Sequence, residues 1–164
     1  GVLDRAEARA IPTAVLPSSG DGGTWGAQLL DVLAQHEVHA IALAGYLKKI
    51  PAPVLQAYRH RILNVHPSLL PSFGGKGMYG LRVHQAVREY GAQFSGATVH
   101  LVEEDFDTGP VVLQQTVEVY EDDTPEALAA RVLAVEHDLY PLALSLLAVG
   151  LLSRVGRLVR ISSR

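Results

Sequence analysis

An amide and an imidazole stand two residues apart at Asn64 and His66, inside the run Asn64-Val65-His66-Pro67-Ser68-Leu69-Leu70-Pro71. The amide can donate hydrogen bonds to a developing negative charge, and the imidazole can take up or release a proton near neutral pH. Residues 62–66 read as a short strand, which puts Asn64 and His66 on one face and Val65 on the other. Pro67 ends strand pairing, and Pro71 stiffens the loop beyond it. The pair therefore falls at the carboxyl edge of a sheet, where ligands bind in open α/β folds. Taken alone, an Asn-x-His is more often a polar strand end with a solvated histidine.

A second polar element, residues 103–110, separates two runs with strand character, 97–102 and 111–119. In the second run Val111, Leu113, Val117 and Val119 alternate with Gln114, Thr116 and Glu118. Asp107-Thr108-Gly109-Pro110 is ordinary turn chemistry. A carboxylate there is also placed to reach the His66 ring, fix its tautomer and favour its protonated form.

The elements that must hold these groups alternate through the first half. Residues 1–10 read as a helix, 20–24 as a flexible surface loop, and 25–36 as a helix through Leu29, Leu30, Val32 and Leu33. Residues 39–44 form a near-continuous apolar strand of the kind covered on both faces. A short helix at 51–58, the strand at 62–66 and a helix at 83–90 lead into a hairpin at 94–119. A long helix then spans 125–149 with Thr124 as its N-cap, and 158–161 forms a final edge strand. No repeat, low-complexity tract or domain-sized linker interrupts the chain.

At 164 residues the chain fits one domain of roughly 100–200 residues, and 48% hydrophobic composition supports a core. A net charge of −3 argues against a dedicated nucleic-acid binder. Arg154, Arg157, Arg160 and Arg164 read as a solvated strand edge. With no cysteine there is no disulfide framework, zinc-thiolate site or thiol nucleophile, which fits cytoplasmic life. No apolar run reaches the ~18 residues of a membrane span. None of the seven histidines (His36, His39, His60, His66, His84, His100, His137) forms a tight ligand spacing, so no metal site is expected. His84 and His100 read as structural donors. A Ser68–His66–Asp107 hydrolase is conceivable, but the G-x-S-x-G elbow is absent.

Asn64-x-His66 with Ser68-Leu69-Leu70-Pro71, followed by Asp107-x-Gly109-Pro110, resembles the folate-dependent formyltransferase family. The likeness is nearest to the branch that formylates glycinamide ribonucleotide. It extends through Leu43-Ala44-Gly45-Tyr46-Leu47, Gly96-Ala97-Thr98-Val99-His100 and Glu136-His137-x-x-Tyr140-Pro141, and the Gly74–Gly80 loop resembles a longer-loop subgroup. The resemblance implies a single formyltransferase domain over residues 1–164. Its fold would be α/β: an open, mostly parallel Rossmann-like sheet with an antiparallel hairpin extension and helices on both faces.

It also implies a reaction, formyl transfer from 10-formyltetrahydrofolate as co-substrate to the glycinamide amine. Asn64 and protonated His66 would stabilise the tetrahedral oxyanion, with His66 the acid toward the departing folate nitrogen. Asp107 would orient His66, favour its charge and relay a proton. Folate would lie against Leu47, Lys48, Lys49, Ile50, Asn64, Glu103, Glu104, Asp105, Phe106 and Asp107, and Glu136 would contact the substrate ribose. Small molecules are thus the expected partners, without nucleic acid or membrane, and a homodimer is left open.

There are departures. Lys48 stands where the family commonly has arginine, and an arginine for the folate tail has no counterpart near residues 22–24. Residues 1–20 hold no Gly-Ser-Asn phosphate loop. The chain therefore reads as a member incomplete at its N-terminus, expected to bind folate analogues better than glycinamide ribonucleotide. Formyltetrahydrofolate hydrolase, which usually has histidine in place of Pro67, and a non-catalytic folate-binding remnant are the alternatives.

Overall fold

A computed structural model describes residues 1–16 and 22–162, which fall in two compact units. The first, from residues 1–38 and 50–57, holds helices α1 (Val2–Glu7), α2 (Gly22–Gln35) and α3 (Ala52–Ala57). The α2 apolar stripe of Leu29, Leu30, Val32 and Leu33 is partly buried, and α2 packs on α3. Helix α2 starts earlier than its composition suggests. Gly22–Thr24, expected in a loop, form its first turn. Glycine costs about 1 kcal/mol per helical position, and the packed stripe that follows offsets it. Gly20 and Asp21 lie outside the described residues.

The second unit, residues 39–49 and 58–164, carries the chemistry-bearing stretches. Its four-stranded sheet runs in the order β1 (Ile41–Leu43), β2 (Ile62–His66), β3 (Phe94–Leu101), β4 (Val111–Glu118). The β1–β2 pair is parallel and the other two pairings are antiparallel, so the hairpin extension forms as expected on a mixed sheet. Strand β1 is shorter than residues 39–44 and forms an edge. Among the described residues β1 has one strand neighbour, and Ala42 on it is exposed.

Helix α4 (Leu81–Tyr90) packs on α5 (Pro125–Ala148), and α5 covers β3 and β4. The core gathers Leu63, Val87, Val99, Val117, Leu128 and Val132. The alternation expected in β4 is imperfect. Val112 is buried while Val111 and Leu113 are only partly so, next to a register shift at Val99/His100 that disturbs the strand face. Strand β6 (Leu158–Ile161) pairs with β5 (Leu152–Val155) in a separate hairpin.

Two polar devices hold α5, one at its start and one against the sheet. Thr124 caps the helix, its Oγ accepting from the Ala127 N–H at 3.1 Å. One turn past Glu136, the Tyr140 hydroxyl donates between the carbonyls of Leu43, at the end of β1, and Leu63, near the start of β2, 2.9 Å from each. Burial drives its pKa to about 12, so it stays a donor.

Just before α5, the Asp123 carboxylate is 4% exposed and takes both Arg131 guanidinium nitrogens, at 2.6 and 2.8 Å, plus the Tyr120 N–H. The Arg131 bond is the largest influence on it and, against burial, holds its pKa down to about 2. A carboxyl depressed on folding stabilises the fold above its unfolded pKa, near ~4, and loses that contribution as pH falls through its folded value. Arg131→Ala leaves this carboxylate buried and unpaired. We expect a loss on the order of 3 kcal/mol at pH 7. In urea melts the gap from wild type should narrow as pH drops from about 4 toward 2; a gap that holds constant with pH would contradict the pairing.

Candidate active site

Cross-strand register assembles the site. Asn64 lies opposite His100, and His66 opposite Thr98, on the antiparallel β2–β3 pair. Directly opposed residues share a face with their side chains adjacent. Asn64, His66 and His100 thus converge at the end of β2, and the turn after β3 brings Asp107 onto them. The Asp107 carboxylate has Oδ2 3.5 Å from His66 Nδ1 and Oδ1 3.6 Å from His100 Nε2. Its Oδ2 also accepts the Gly75 N–H at 2.8 Å.

The backbone determines which ring nitrogens carry protons. His100 Nδ1 is 2.9 Å from the Leu101 carbonyl, which can only accept, so Nδ1 holds the hydrogen. In the neutral ring His100 Nε2 is the acceptor, and its partner at 3.2 Å is then the Asn64 NH2. This fixes the orientation of the amide and leaves Asn64 a second N–H. In the same way His66 Nε2 donates to the Phe73 carbonyl at 2.9 Å, which leaves Nδ1 as the basic atom facing Asp107.

Charge in the site departs from the expectation in one respect. Burial is the largest influence on His66 and lowers its pKa, outweighing the upward pull of Asp107 and the Phe73 carbonyl. The ring therefore rests neutral, because desolvation penalises the cation more than a carboxylate at 3.5 Å rewards it. Burial pushes Asp107 upward, but His100, His66 and the Gly75 N–H outweigh it and hold the carboxyl below its ordinary range. His84, buried on α4, is lowered by burial and by His66.

The loops around the site are pinned by residues whose role the sequence did not reveal. Thr98 Oγ1 donates to the Ser68 carbonyl at 2.6 Å and accepts the Leu70 N–H at 3.0 Å. Gln114 bonds the Leu70 carbonyl and Thr98 Oγ1. Ser68 is fully buried and gives its hydroxyl to the Ser72 carbonyl, so it is tied to its own loop and not to His66. That removes the serine-hydrolase arrangement.

Asp107 itself sits in left-handed backbone, φ +58°, a conformation Asp tolerates better than most residues. A Cβ on Gly109 would lie 1.6 Å from the Leu101 carbonyl oxygen, and one on Gly74 would lie 2.5 Å from Leu70 Cδ2 and 3.2 Å from Asp107 Cβ. Arg154, read as solvated, pairs with Glu103 at 2.9 Å, and Arg157 donates to the Thr108 carbonyl at 2.7 Å. Both brace the loop that carries Asp107. Arg164 lies outside the described residues.

The remaining site residues divide. Lys49 pairs with Asp105 at 2.8 Å and stands 5.8 Å from the Phe106 ring centre, so those three meet. Leu47, Lys48 and Glu104 are exposed, Glu103 is engaged by Arg154, and Ile50 is buried within the first unit. Glu136 is partly buried on α5 with its pKa raised by burial, and among the described residues it makes no hydrogen bond or ion pair. No group of three or more His, Asp and Glu there could hold a metal ion, and no described helix is long and apolar enough to cross a membrane.

Residues 1–144 match the family described as formyl transferase. The chain is 49% identical over 143 residues to the chloroplastic phosphoribosylglycinamide formyltransferase of Arabidopsis thaliana, covering 85% of this chain and 49% of that protein. It thus spans about half the length of that relative. It is 43% identical over 142 residues to phosphoribosylglycinamide formyltransferase of Bacillus subtilis, covering 85% and 70%. Among solved structures, glycinamide ribonucleotide transformylase 1 from Symbiobacterium toebii superposes with a TM-score of 0.88 at 38% identity, covering 98% of this chain and 74% of that one.

If Asp107 raises the His66 pKa across the 3.5 Å gap, Asp107→Asn should lower it further below its ordinary value. An NMR titration of the His66 ring protons reads this directly. An unchanged or higher midpoint would show that the carboxylate does not act on the ring.

Proposed function

We propose, for a chain that belongs to the formyl transferase family, that it transfers a formyl group from 10-formyltetrahydrofolate to the amine of glycinamide ribonucleotide, a step of purine biosynthesis. The observation that carries this reading is the ionised Asp107 carboxylate between two imidazoles, with a fixed Asn64 N–H beside them. The relatives named above support the choice of acceptor.

The amine nitrogen attacks the formyl carbon, and negative charge gathers on the former carbonyl oxygen. The second Asn64 N–H, held in place because the first is committed to His100, stabilises that oxygen. The attacking nitrogen becomes acidic as its bond forms, and its proton passes toward Asp107 and the basic Nδ1 of His66. Charging His66 turns its approach to Asp107 into an ion pair. The imidazolium then supplies a proton to the departing folate nitrogen, a role typically worth ~10²–10⁴-fold. In this reading His66 starts neutral and becomes the acid during the reaction.

Folate would lie along the Lys49, Asp105 and Phe106 group, with Leu47, Lys48, Glu103 and Glu104 nearby, and Glu136 would contact the ribose. Lys48 offers a point charge without a bidentate fork. No resident metal is part of this scheme, and the compartment is assigned as cytoplasmic.

His66→Ala and Asp107→Ala should each lower turnover by ~10²-fold or more with the far-ultraviolet circular dichroism unchanged. Near-normal formyl transfer in either folded variant would sink the assignment. Asn64→Ala should cost about 3–4 kcal/mol of transition-state stabilisation. Asn64→Asp, which sets a charge against the developing oxyanion, should be slower still. If Asn64→Asp proves the faster of the two, Asn64 does not face that oxygen.

A further inference from the structure

The Asp107 carboxylate reaches its two imidazoles from a loop that leaves the sheet after β3. The Leu101 N–H donates to the Pro110 carbonyl at 2.9 Å and closes this loop at its base. From there the chain runs out through Glu104 and Asp105, both exposed, and returns through Asp107. Asp107 lies in left-handed backbone, φ +58°, a conformation that persists only where the surroundings enforce it.

Part of that enforcement comes from the β5–β6 hairpin, which lies beyond residues 1–144, the stretch matched to the family. Strand pairing puts Leu152, Arg154 and Val159 on one face of the hairpin. Leu152 and Val159 pack against the core, so apolar contact fixes where the hairpin sits. Gly156, at φ +62°, opens the two-residue turn between the strands and sets Arg157 at its tip. The two arginines then hold the loop near its two ends. Arg154 Nη1 lies 2.9 Å from the Glu103 carboxylate, while its Nε donates to the Gly156 carbonyl at 2.6 Å. Arg157 Nη2 donates to the carbonyl of Thr108, the residue directly after Asp107, at 2.7 Å.

We propose that the β5–β6 hairpin is a positioning element of the active site: Arg157 through the Thr108 carbonyl, with Arg154 through Glu103, sets the distance of the Asp107 carboxylate from His66. The inference rests on the reading of Asp107 and His66 as the groups that move the proton. Their gap of 3.5 Å exceeds a hydrogen bond, so the carboxylate acts on the ring by proximity alone, and the loop controls that proximity. A misplacement of about 1 Å at reacting groups can cost ~10²-fold in rate, even when its origin is remote. Arg157 itself is exposed, and substitutions at such positions usually change global stability little. Its loss should therefore be felt at Asp107 far more than in the fold.

The test uses the intact chain. Arg157→Met keeps the side-chain stem and removes the donors, and Arg157→Lys keeps a charged donor. In an NMR titration of the His66 ring, Arg157→Met should lower the midpoint, the direction expected of Asp107→Asn, and should add nothing in an Asp107→Asn background. Arg157→Lys should restore most of the midpoint. The urea midpoint of Arg157→Met should stay close to wild type, and kcat for formyl transfer should fall by ~10-fold or more with each KM within about twofold. If Asp107→Asn moves the His66 midpoint and Arg157→Met does not, the positioning role is overturned while the proposed reaction stands. If both variants move it and the wild-type chain transfers no formyl group, the reaction falls and the positioning of Asp107 stands. A further shift in the double variant, an unmoved midpoint in Asp107→Asn, or a failure of Arg157→Met to fold would also overturn the role.

Discussion

A single carboxylate, taken partly out of water and kept ionised, organises the rest of the site. Asp107 accepts a backbone N–H from Gly75 and lies 3.5 and 3.6 Å from ring nitrogens of His66 and His100. A buried charge without such partners would protonate or unfold its surroundings. Much local structure follows from supplying them. The 74–75 backbone must come close enough to donate, which would bring a Cβ at Gly74 to 3.2 Å from Asp107 Cβ. The turn must carry Asp107 through left-handed backbone and pass Gly109 against the Leu101 carbonyl. Arg154 and Arg157 fasten the loop from outside. Thr98 and Gln114 fasten the opposing loop from below.

The two imidazoles differ in tautomer because different backbone carbonyls claim them. Leu101 takes the Nδ1 hydrogen of His100, and Phe73 takes the Nε2 hydrogen of His66. One ring therefore presents an acceptor to Asn64 and fixes that amide. The other presents a basic nitrogen to Asp107. Two histidines within reach of one carboxylate thus do unlike work, and the distinction comes from main-chain geometry, not from residue type.

Much of this was legible in the sequence where local chemistry dictates structure. The Thr124 cap, the long helix, the strand at 62–66 and the hairpin at 94–119 follow from periodicity and turn residues, and they stand where those signals put them. Asn64, His66 and Asp107 meet as their motifs suggested. What could not be read depends on register and burial. Thr98-x-His100 repeats the alternation of Asn64-x-His66 in the neighbouring strand, but only the pairing of 64 with 100 shows that the two motifs face each other. Edge status was equally hidden, since apolar residues at 39–44 look the same whether or not a second neighbour covers them. The resting state of His66 turned on desolvation, which no spacing between residues encodes.

The neutral His66 ring is also the less completely bonded form of itself. In the imidazole, Nε2 donates to Phe73 while the Nδ1 lone pair faces an anionic oxygen at 3.5 Å, which is too long for a hydrogen bond and repulsive in sign. In the imidazolium both nitrogens would carry hydrogens, and both already face acceptors. Hydrogen-bond geometry therefore favours the cation while burial disfavours it, and at rest burial dominates. The two opposing influences keep the proton affinity of the ring adjustable. A group that delivers a proton on the Asp107 side needs no rearrangement of the Phe73 bond, because the acceptor for the new hydrogen is already in place.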